Sequence, residues 1–279
     1  MTTLNLGIRA HDLGQLSLPN LCKQISSFPF SHIQFAIKKS FPEYVPSFQS
    51  LSPGIASFFG DYFSRNGIKI STLGCYVNIS SLDLHVRKEA LDSFKMHIQL
   101  AHDFRASLVG TETGSVGNGY TSANFTEEAY LIARSSIIEL VNFAQNFGVI
   151  VGIEAGLNHP LYTAKLAKRL VDEVQSPHLR IILDGANLLH PDNYQDRDYV
   201  LKEALDLLHD HIAVLHLKDF TVEKGRIKIV PVGRGMMNFE PLLEYLKYTK
   251  PFMHATLEET QGSYIQPAIE YIHNMYNRL

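Results

Sequence analysis

The stretch His211–Asp219 reads HIAVLHLKD. Its Ile212–Leu215 run is β-branched and aliphatic, as in a parallel strand buried on both faces, and then breaks into His216, Lys218 and Asp219. A buried strand has reason to carry such groups only where its C-terminal end opens onto a site. The same grammar recurs in Gly148–Glu154 (GVIVGIE), Leu179–Asp184 (LRIILD) and His254–Glu258 (HATLE). Four strand-like segments in the second half of the chain therefore deliver Glu154, Asp184, His216 and Glu258 at their ends. A single carboxylate after an apolar run is ordinarily a helix N-cap or a solvated loop residue. An N-cap account does not predict apolar strand, ionisable tip and helix four times in succession. Three carboxylates and one imidazole instead form a donor set for a divalent cation of octahedral preference, Mn²⁺, Mg²⁺ or Co²⁺. Because Glu258 and Glu259 are adjacent, Glu259 is the alternative fourth ligand.

Working outward, strand and helix patterns alternate eight times. Strands are expected at Leu4–Ile8, Ile33–Ile37, Ile68–Leu73 and Ser107–Gly110, then at the four segments above. Amphipathic helices are expected near Gln15–Ser27, Gly54–Asn66, Asp83–Phe104, Thr126–Phe147, Tyr162–Val174, Tyr199–His209, Phe239–Tyr248 and Tyr264–Asn277. Gly67 and Gly148 stand where helices stop, and Thr126 with Glu127 and Glu128 where one starts. Alternation of this kind implies a parallel sheet with right-handed crossovers. Eight units favour closure into a single (β/α)₈ TIM barrel, α/β in class, spanning residues 1–279 as one domain. The competing open sheet lacks its usual support, since no glycine-rich dinucleotide turn follows the first strand.

Composition narrows the function classes. The chain has 279 residues, 45% of them hydrophobic, enough for one large core. A formal charge of −3 gives no general attraction to nucleic acid or to anionic membranes. The N-terminal MTTLNLGIRAHDLG has no cationic segment followed by a long apolar run, and no stretch is apolar enough to span a bilayer. Two cysteines, Cys22 and Cys75, form no disulfide framework, so a reducing, cytoplasmic setting is expected.

In a barrel, the remaining strand ends face the same mouth. They carry Arg9, His11 and Asp12 after the first strand, Tyr76 and Asn78 after the third, and Thr111, Glu112 and Thr113 after the fourth. His11 and Asp12 also suit a helix cap, and Tyr76 a place under a loop. Glu112 repeats the pattern of strand plus acid and suits a partner that orients a ligand. Of the histidines outside the metal set, His11 and His190 are expected near the mouth, and His159 and His254 away from it. Gly114–Asn124, Asn187–Arg197 and Phe220–Gly235 read as long loops on this face, the first a candidate cover. Val222–Val232 within the last reads as a hairpin turning at Lys224–Gly225. Such loops also form subunit contacts, compatible with a homodimer or homotetramer.

The succession IEAG (Glu154), ILDGAN (Asp184), LHLKD (His216) and LEET (Glu258) resembles the sugar phosphate isomerase/epimerase family, of the xylose isomerase-like TIM-barrel group. That group also includes ketose 3-epimerases, inosose dehydratase and AP endonucleases. The resemblance runs from GIRAHD at the first strand to LEET at the last. It implies one divalent metal ion, Mn²⁺ foremost with Mg²⁺, Co²⁺ or Zn²⁺ as alternatives, held by Glu154, Asp184, His216 and Glu258. It further implies an isomerase or epimerase acting on a sugar or sugar phosphate by proton transfer through an enediolate, with Glu154 and Glu258 as the proton-transferring pair. Glu112, Lys218, Asn187, His11, Tyr76 and Arg234 are the expected substrate-binding residues. Where ketose 3-epimerases have a histidine three residues after the Asp ligand, this chain has Asn187. Where they have a substrate-binding arginine six residues after the His ligand, it has Val222. Lys218 and Arg234, with Gly233 and Gly235, are candidates to receive an anionic group, a plain turn being the simpler reading of the glycines. The alternatives are a sugar or inosose dehydratase on the same residues, an AP endonuclease-like metallo-phosphoesterase, or a barrel that binds a sugar without turning it over. A nuclease would need a cluster of several zinc ions, with more ligands than the sequence offers at the mouth, and neither a nucleic-acid nor a membrane partner is expected.

Overall fold

The computed structural model describes residues 3–119 and 121–279. Met1 and Thr2, part of the N-terminal reading above, and Tyr120, within the Gly114–Asn124 loop, lie outside the described residues. The first half of the chain forms β1 (Leu6–Arg9), α1 (Leu18–Ser26), β2 (His32–Phe35), α2 (Ile37–Ser40), α3 (Pro53–Arg65), β3 (Lys69–Gly74), α4 (Leu84–Leu100), β4 (Val109–Glu112) and α5 (Glu127–Gln145). The second half forms β5 (Val151–Glu154), α6 (Ala164–Val174), β6 (Leu179–Asp184), α7 (Arg197–Leu208) and β7 (Ile212–Leu217). A hairpin of β8 (Asp219–Glu223) and β9 (Arg226–Val230) precedes α8 (Glu240–Glu244), β10 (His254–Leu257) and α9 (Ile265–Arg278).

Eight of these strands close into a parallel barrel in the order β1-β10-β7-β6-β5-β4-β3-β2, with the helices outside, so the expected (β/α)₈ architecture is the one found. Side chains of Leu108, Ile182 and Val214 fill the barrel interior. Gly110 on β4 and Gly152 on β5 make room for Ile182. A Cβ at Gly110 would come within 2.8 Å of Ile182 Cδ1, and one at Gly152 within 3.0 Å. Between the barrel and α3 lies an aromatic cluster, with the Phe35 and Phe63 rings 5.1 Å apart and those of Phe41 and Phe59 5.0 Å apart. Helix starts follow the expected chemistry. Asp83 accepts from the His85 and Val86 amides, Thr126 from Ala129 and Thr163 from Leu166.

Several boundaries differ from expectation. The fifth strand opens at Val151 rather than Gly148, because the Val149 amide turns back to the Ala144 carbonyl and closes the end of α5. The second strand stops at Phe35, and Ile37 instead begins a short helix. The expected Phe239–Tyr248 helix divides into α8 and a π-helical turn over Tyr245–Thr249. The hairpin starts earlier than Val222 but turns at Lys224–Gly225 as expected. Both residues have positive φ, the geometry of a two-residue type I′ connection. Among the described residues, no helix is long and apolar enough to cross a membrane.

Candidate active site at the barrel mouth

The strand order sets five ionisable tips side by side. Glu258 follows β10, His216 lies in β7, Asp184 ends β6, Glu154 ends β5 and Glu112 ends β4. Pairing places Asp184 level with His216, and Glu112 level with Glu154. Glu154, Asp184 and His216 are buried, and one ligand atom from each lies within 4.8 Å of the other two. Glu258 joins them through His216, whose Nδ1 is 3.3 Å from Glu154 Oε2 and 3.4 Å from Glu258 Oε1. Glu258 rather than Glu259 turns inward. Its side chain is 4% exposed against 43% for Glu259, which pairs with Arg9.

Lys218 provides the positive counterweight. Its Nζ lies 2.7 Å from Asp184 Oδ2 and 2.9 Å from Glu258 Oε2, and it donates to Asn187 Oδ1 at 3.2 Å. Asn187 in turn donates to Glu154 Oε1 at 2.6 Å, so one amide ties Glu154 to the lysine. The Asp184 Oδ1 atom accepts the Ala186 and Asn187 amides, which orients the carboxylate from below. Burial opposes charge at each of these groups, and their neighbours decide the outcome. Burial alone would lower the His216 pKa, but Glu258, Glu154 and Asp184 raise it to about 9. Burial would raise Glu258, yet His216, Lys218 and Arg9 hold it well below the usual carboxylate range. Glu154 is lowered against burial chiefly by His216. At Asp184 burial wins and the pKa rises, with Lys218 opposing.

The donor set fits a cation by its own chemistry. Asp184 Oδ2 and both nitrogens of His216 are buried with no well-aligned hydrogen-bond partner. Lys218 Nζ lies close to that oxygen without the geometry of a good hydrogen bond, and the carboxylates near His216 Nδ1 stand at 3.3–3.4 Å. Buried polar atoms without a well-aligned hydrogen bond are costly in a protein interior. An ion among them would satisfy all three residue types as ligands.

Above this floor opens a cavity of about 880 Å³. Of the residues expected at the mouth, Glu112, Tyr76, Asn187 and Lys218 line it, as do Glu154, Glu258 and Arg9. His11 does not line it. Its ring is half-buried, with the pKa brought down to about 3 by burial and then by Arg9 and Lys39. Arg234 is exposed and stacks on Tyr264 at 5.9 Å, outside the cavity. The Gly233 and Gly235 amides, with those of Phe220 and Met237, all donate to the buried Asp219 carboxylate, so this segment is a turn pinned to the start of β8.

Other residues were not legible in the sequence. His159, expected away from the mouth, lines the cavity, and His190 does not. His159 Nδ1 is 2.8 Å from the Gly114 carbonyl, which only accepts, so Nε2 is left facing Glu112 Oε2 at 3.6 Å. Burial and Glu154 raise the Glu112 pKa, with His159 opposing. Val222 pairs with Ile227 in the hairpin, and from this hairpin Arg226, on the return strand, reaches the cavity. Lys39 enters from α2, its ammonium 4.3 Å from the centre of the Tyr76 ring. The Gly114–Asn124 loop is tethered by Asn124, whose amide donates to the Asn158 carbonyl at 2.7 Å and whose Oδ1 accepts the Val116 amide at 2.9 Å.

A family model described as xylose isomerase-like TIM barrel matches residues 22–274. The chain belongs to this family. The L-ribulose-5-phosphate 3-epimerase of Salmonella paratyphi B is 27% identical over 187 residues, 65% of this chain and 61% of that protein. The chain thus spans about three-fifths of the length of the curated relatives it matches. Among solved structures, a D-tagatose 3-epimerase-like protein superimposes with a TM-score of 0.77 at 17% identity, covering 99% of this chain and 98% of that one. A xylose isomerase-like TIM barrel protein from Mycobacterium smegmatis, solved with magnesium, gives 0.68 at 17% identity, covering 100% and 97%. At these identities the structural likeness speaks to the xylose isomerase-like fold alone.

Proposed function

We propose that this xylose isomerase-like barrel is a metal-dependent isomerase or epimerase of a sugar or sugar phosphate. One observation carries the reading: Glu154, Asp184, His216 and Glu258 converge at the ends of neighbouring strands, where Asp184 Oδ2 and both His216 ring nitrogens are buried without a well-aligned hydrogen-bond partner. These four residues would hold one divalent ion, Mn²⁺ foremost, with Mg²⁺, Co²⁺ or Zn²⁺ as alternatives. When bound, the ion supplies a Lewis acid that makes the proton beside a carbonyl more acidic.

The chain's own groups then move that proton. Glu154 and Glu258 both lie within 3.4 Å of the same His216 nitrogen, but they reach it from β5 and from the end of β10, on opposite sides of Asp184 and His216. Carboxylates arriving from two sides suit removal from one face of a carbon and return to the other, which an epimerisation requires. Their ionised state is favoured by His216, Lys218 and, for Glu258, Arg9. Glu112, Asn187, Lys218 and Tyr76 line the space where the sugar's hydroxyls would lie. Lys39 and Arg226 add positive charge at the rim, which supports a phosphorylated substrate like that named for the Salmonella relative. The cavity has the size and polarity for a small molecule. Free, buried Cys22 and Cys75 suit a reducing, cytoplasmic setting. Exposed Leu82 and Leu84 offer apolar surface for a homodimer or homotetramer.

Elemental analysis and incubation in D₂O test the reading together. One ion per chain is expected, along with metal-dependent entry of deuterium at the carbon beside the carbonyl of L-ribulose 5-phosphate or D-tagatose. A stoichiometry far below one, or no exchange with either sugar, would overturn it.

A further inference from the structure

Gln34 stands apart from the pattern of apolar strand and ionisable tip. It lies inside β2 and is fully buried between Ile33 and Phe35. Its amide nitrogen donates to Glu258 Oε1 at 2.9 Å and also to the Tyr76 hydroxyl oxygen. The reverse orientation would turn the amide oxygen toward a carboxylate, setting acceptor against acceptor. Both amide protons are therefore committed, one to each neighbour. In this orientation Gln34 Oε1 is buried with no hydrogen-bond partner. A residue kept only for packing has no reason to carry that cost.

The consequence falls on Tyr76. Its oxygen accepts from Gln34, so the phenolic proton has to point elsewhere, and no protein acceptor takes it among the described residues. Tyr76 lines the cavity above Glu258. The Lys39 ammonium over its ring, 4.3 Å from the centroid, restrains the ring from the other side. Burial and the surrounding carboxylates hold the phenol pKa well above its ordinary value, so the proton is kept.

We propose that Tyr76 donates a hydrogen bond to the substrate oxygen beside the carbon that Glu258 serves, and that Gln34 is the positioning residue holding Tyr76 and Glu258 in that relation. This rests on the isomerase/epimerase reading. Tyr76 transfers no proton in it. As a carbon-bound proton moves to Glu258, negative charge grows on the neighbouring oxygen, and the Tyr76 hydrogen bond strengthens with it. Two side chains from β2 and the β3 end thus address an oxygen that the strand-tip residues leave open.

Tyr76→Phe keeps the ring under Lys39 and removes only the hydroxyl, and Gln34→Leu removes the amide at similar size. With L-ribulose 5-phosphate, each is expected to lower kcat about 10²-fold while KM changes little. The double variant should be no slower than the slower single one, because the two act as a unit. A second readout needs no turnover. Ribitol added to Mn²⁺-loaded protein should perturb the near-ultraviolet tyrosine band, and the Tyr76→Phe variant should lose that signal. If ribitol gives the Tyr76-dependent signal but no sugar is turned over, the isomerase/epimerase reading fails while the contact stands. If the wild type turns over and both variants match it, or if ribitol gives no signal that Tyr76→Phe abolishes, the contact is overturned.

Discussion

Replacing Lys218 by methionine separates the charge balance of the site from its packing, because the stem is kept and only the ammonium goes. Lys218 Nζ is 2.7 Å from Asp184 Oδ2 and 2.9 Å from Glu258 Oε2, and both carboxylates are buried. Removing one member of a buried ion pair strands the other, at a cost of about 3–5 kcal/mol. The unfolding entropy of ~2.1 cal/mol/K per residue, over 279 residues, converts this to a fall in Tm of roughly 5–9 °C in metal-free protein. A divalent ion contends with Lys218 for the same carboxylate oxygens. In the wild type, binding must therefore draw Asp184 and Glu258 away from the ammonium, whereas in the variant it relieves naked charge. At a free concentration ~100 times Kd the ion stabilises by about 2.7 kcal/mol, and its affinity should be higher in the variant. Calorimetry of EDTA-treated protein, with and without Mn²⁺, reads both effects. The expected result is a lowered metal-free Tm and a larger Mn²⁺-induced rise in Lys218→Met than in the wild type. A metal-free Tm within about 2 °C of wild type, or a smaller Mn²⁺ response in the variant, would refute the reasoning.

Three further predictions follow from the same geometry. Glu258→Gln keeps an oxygen for the ion but removes the base, so metal content measured by elemental analysis should largely survive while turnover falls by ~10² or more. His216 has a folded-state pKa raised to about 9 from 6.5, so its protonated form stabilises metal-free protein fully below pH 6.5. That contribution, about 3 kcal/mol at ~1.36 kcal/mol per pKa unit, is lost as pH rises through 9. Urea titrations across this window should show the loss in the wild type and not in His216→Gln. Asp219→Ala removes the acceptor of four backbone amides and should cost roughly 2–4 kcal/mol. Hydrogen exchange at Gly233, Gly235 and Met237 should rise sharply, and unchanged protection there would show that the turn does not depend on this carboxylate.

What the sequence determined by itself is local and periodic. Apolar runs of strand length, capped helix starts and eightfold alternation are written in neighbouring residues, and closure into a parallel barrel follows because each buried strand needs a partner on both sides. The ionisable tips Glu154, Asp184, His216 and Glu258 were legible for the same reason, since an ionisable group ending an apolar strand stands out against its own segment. Even the turn at Lys224–Gly225 is a local matter of positive φ. The tertiary structure decided which side chains meet across the mouth. His159 rather than His190 reaches the cavity, Arg226 rather than Val222 brings an arginine, and Arg234 goes to Tyr264 instead. Lys218 turns to the carboxylates Asp184 and Glu258, and Gln34, a buried polar residue inside β2, finds Glu258 from 224 positions away. Each of these contacts joins segments that only barrel closure makes adjacent. No periodicity within one segment encodes them, because their partners are chosen by the order and stagger of the strands.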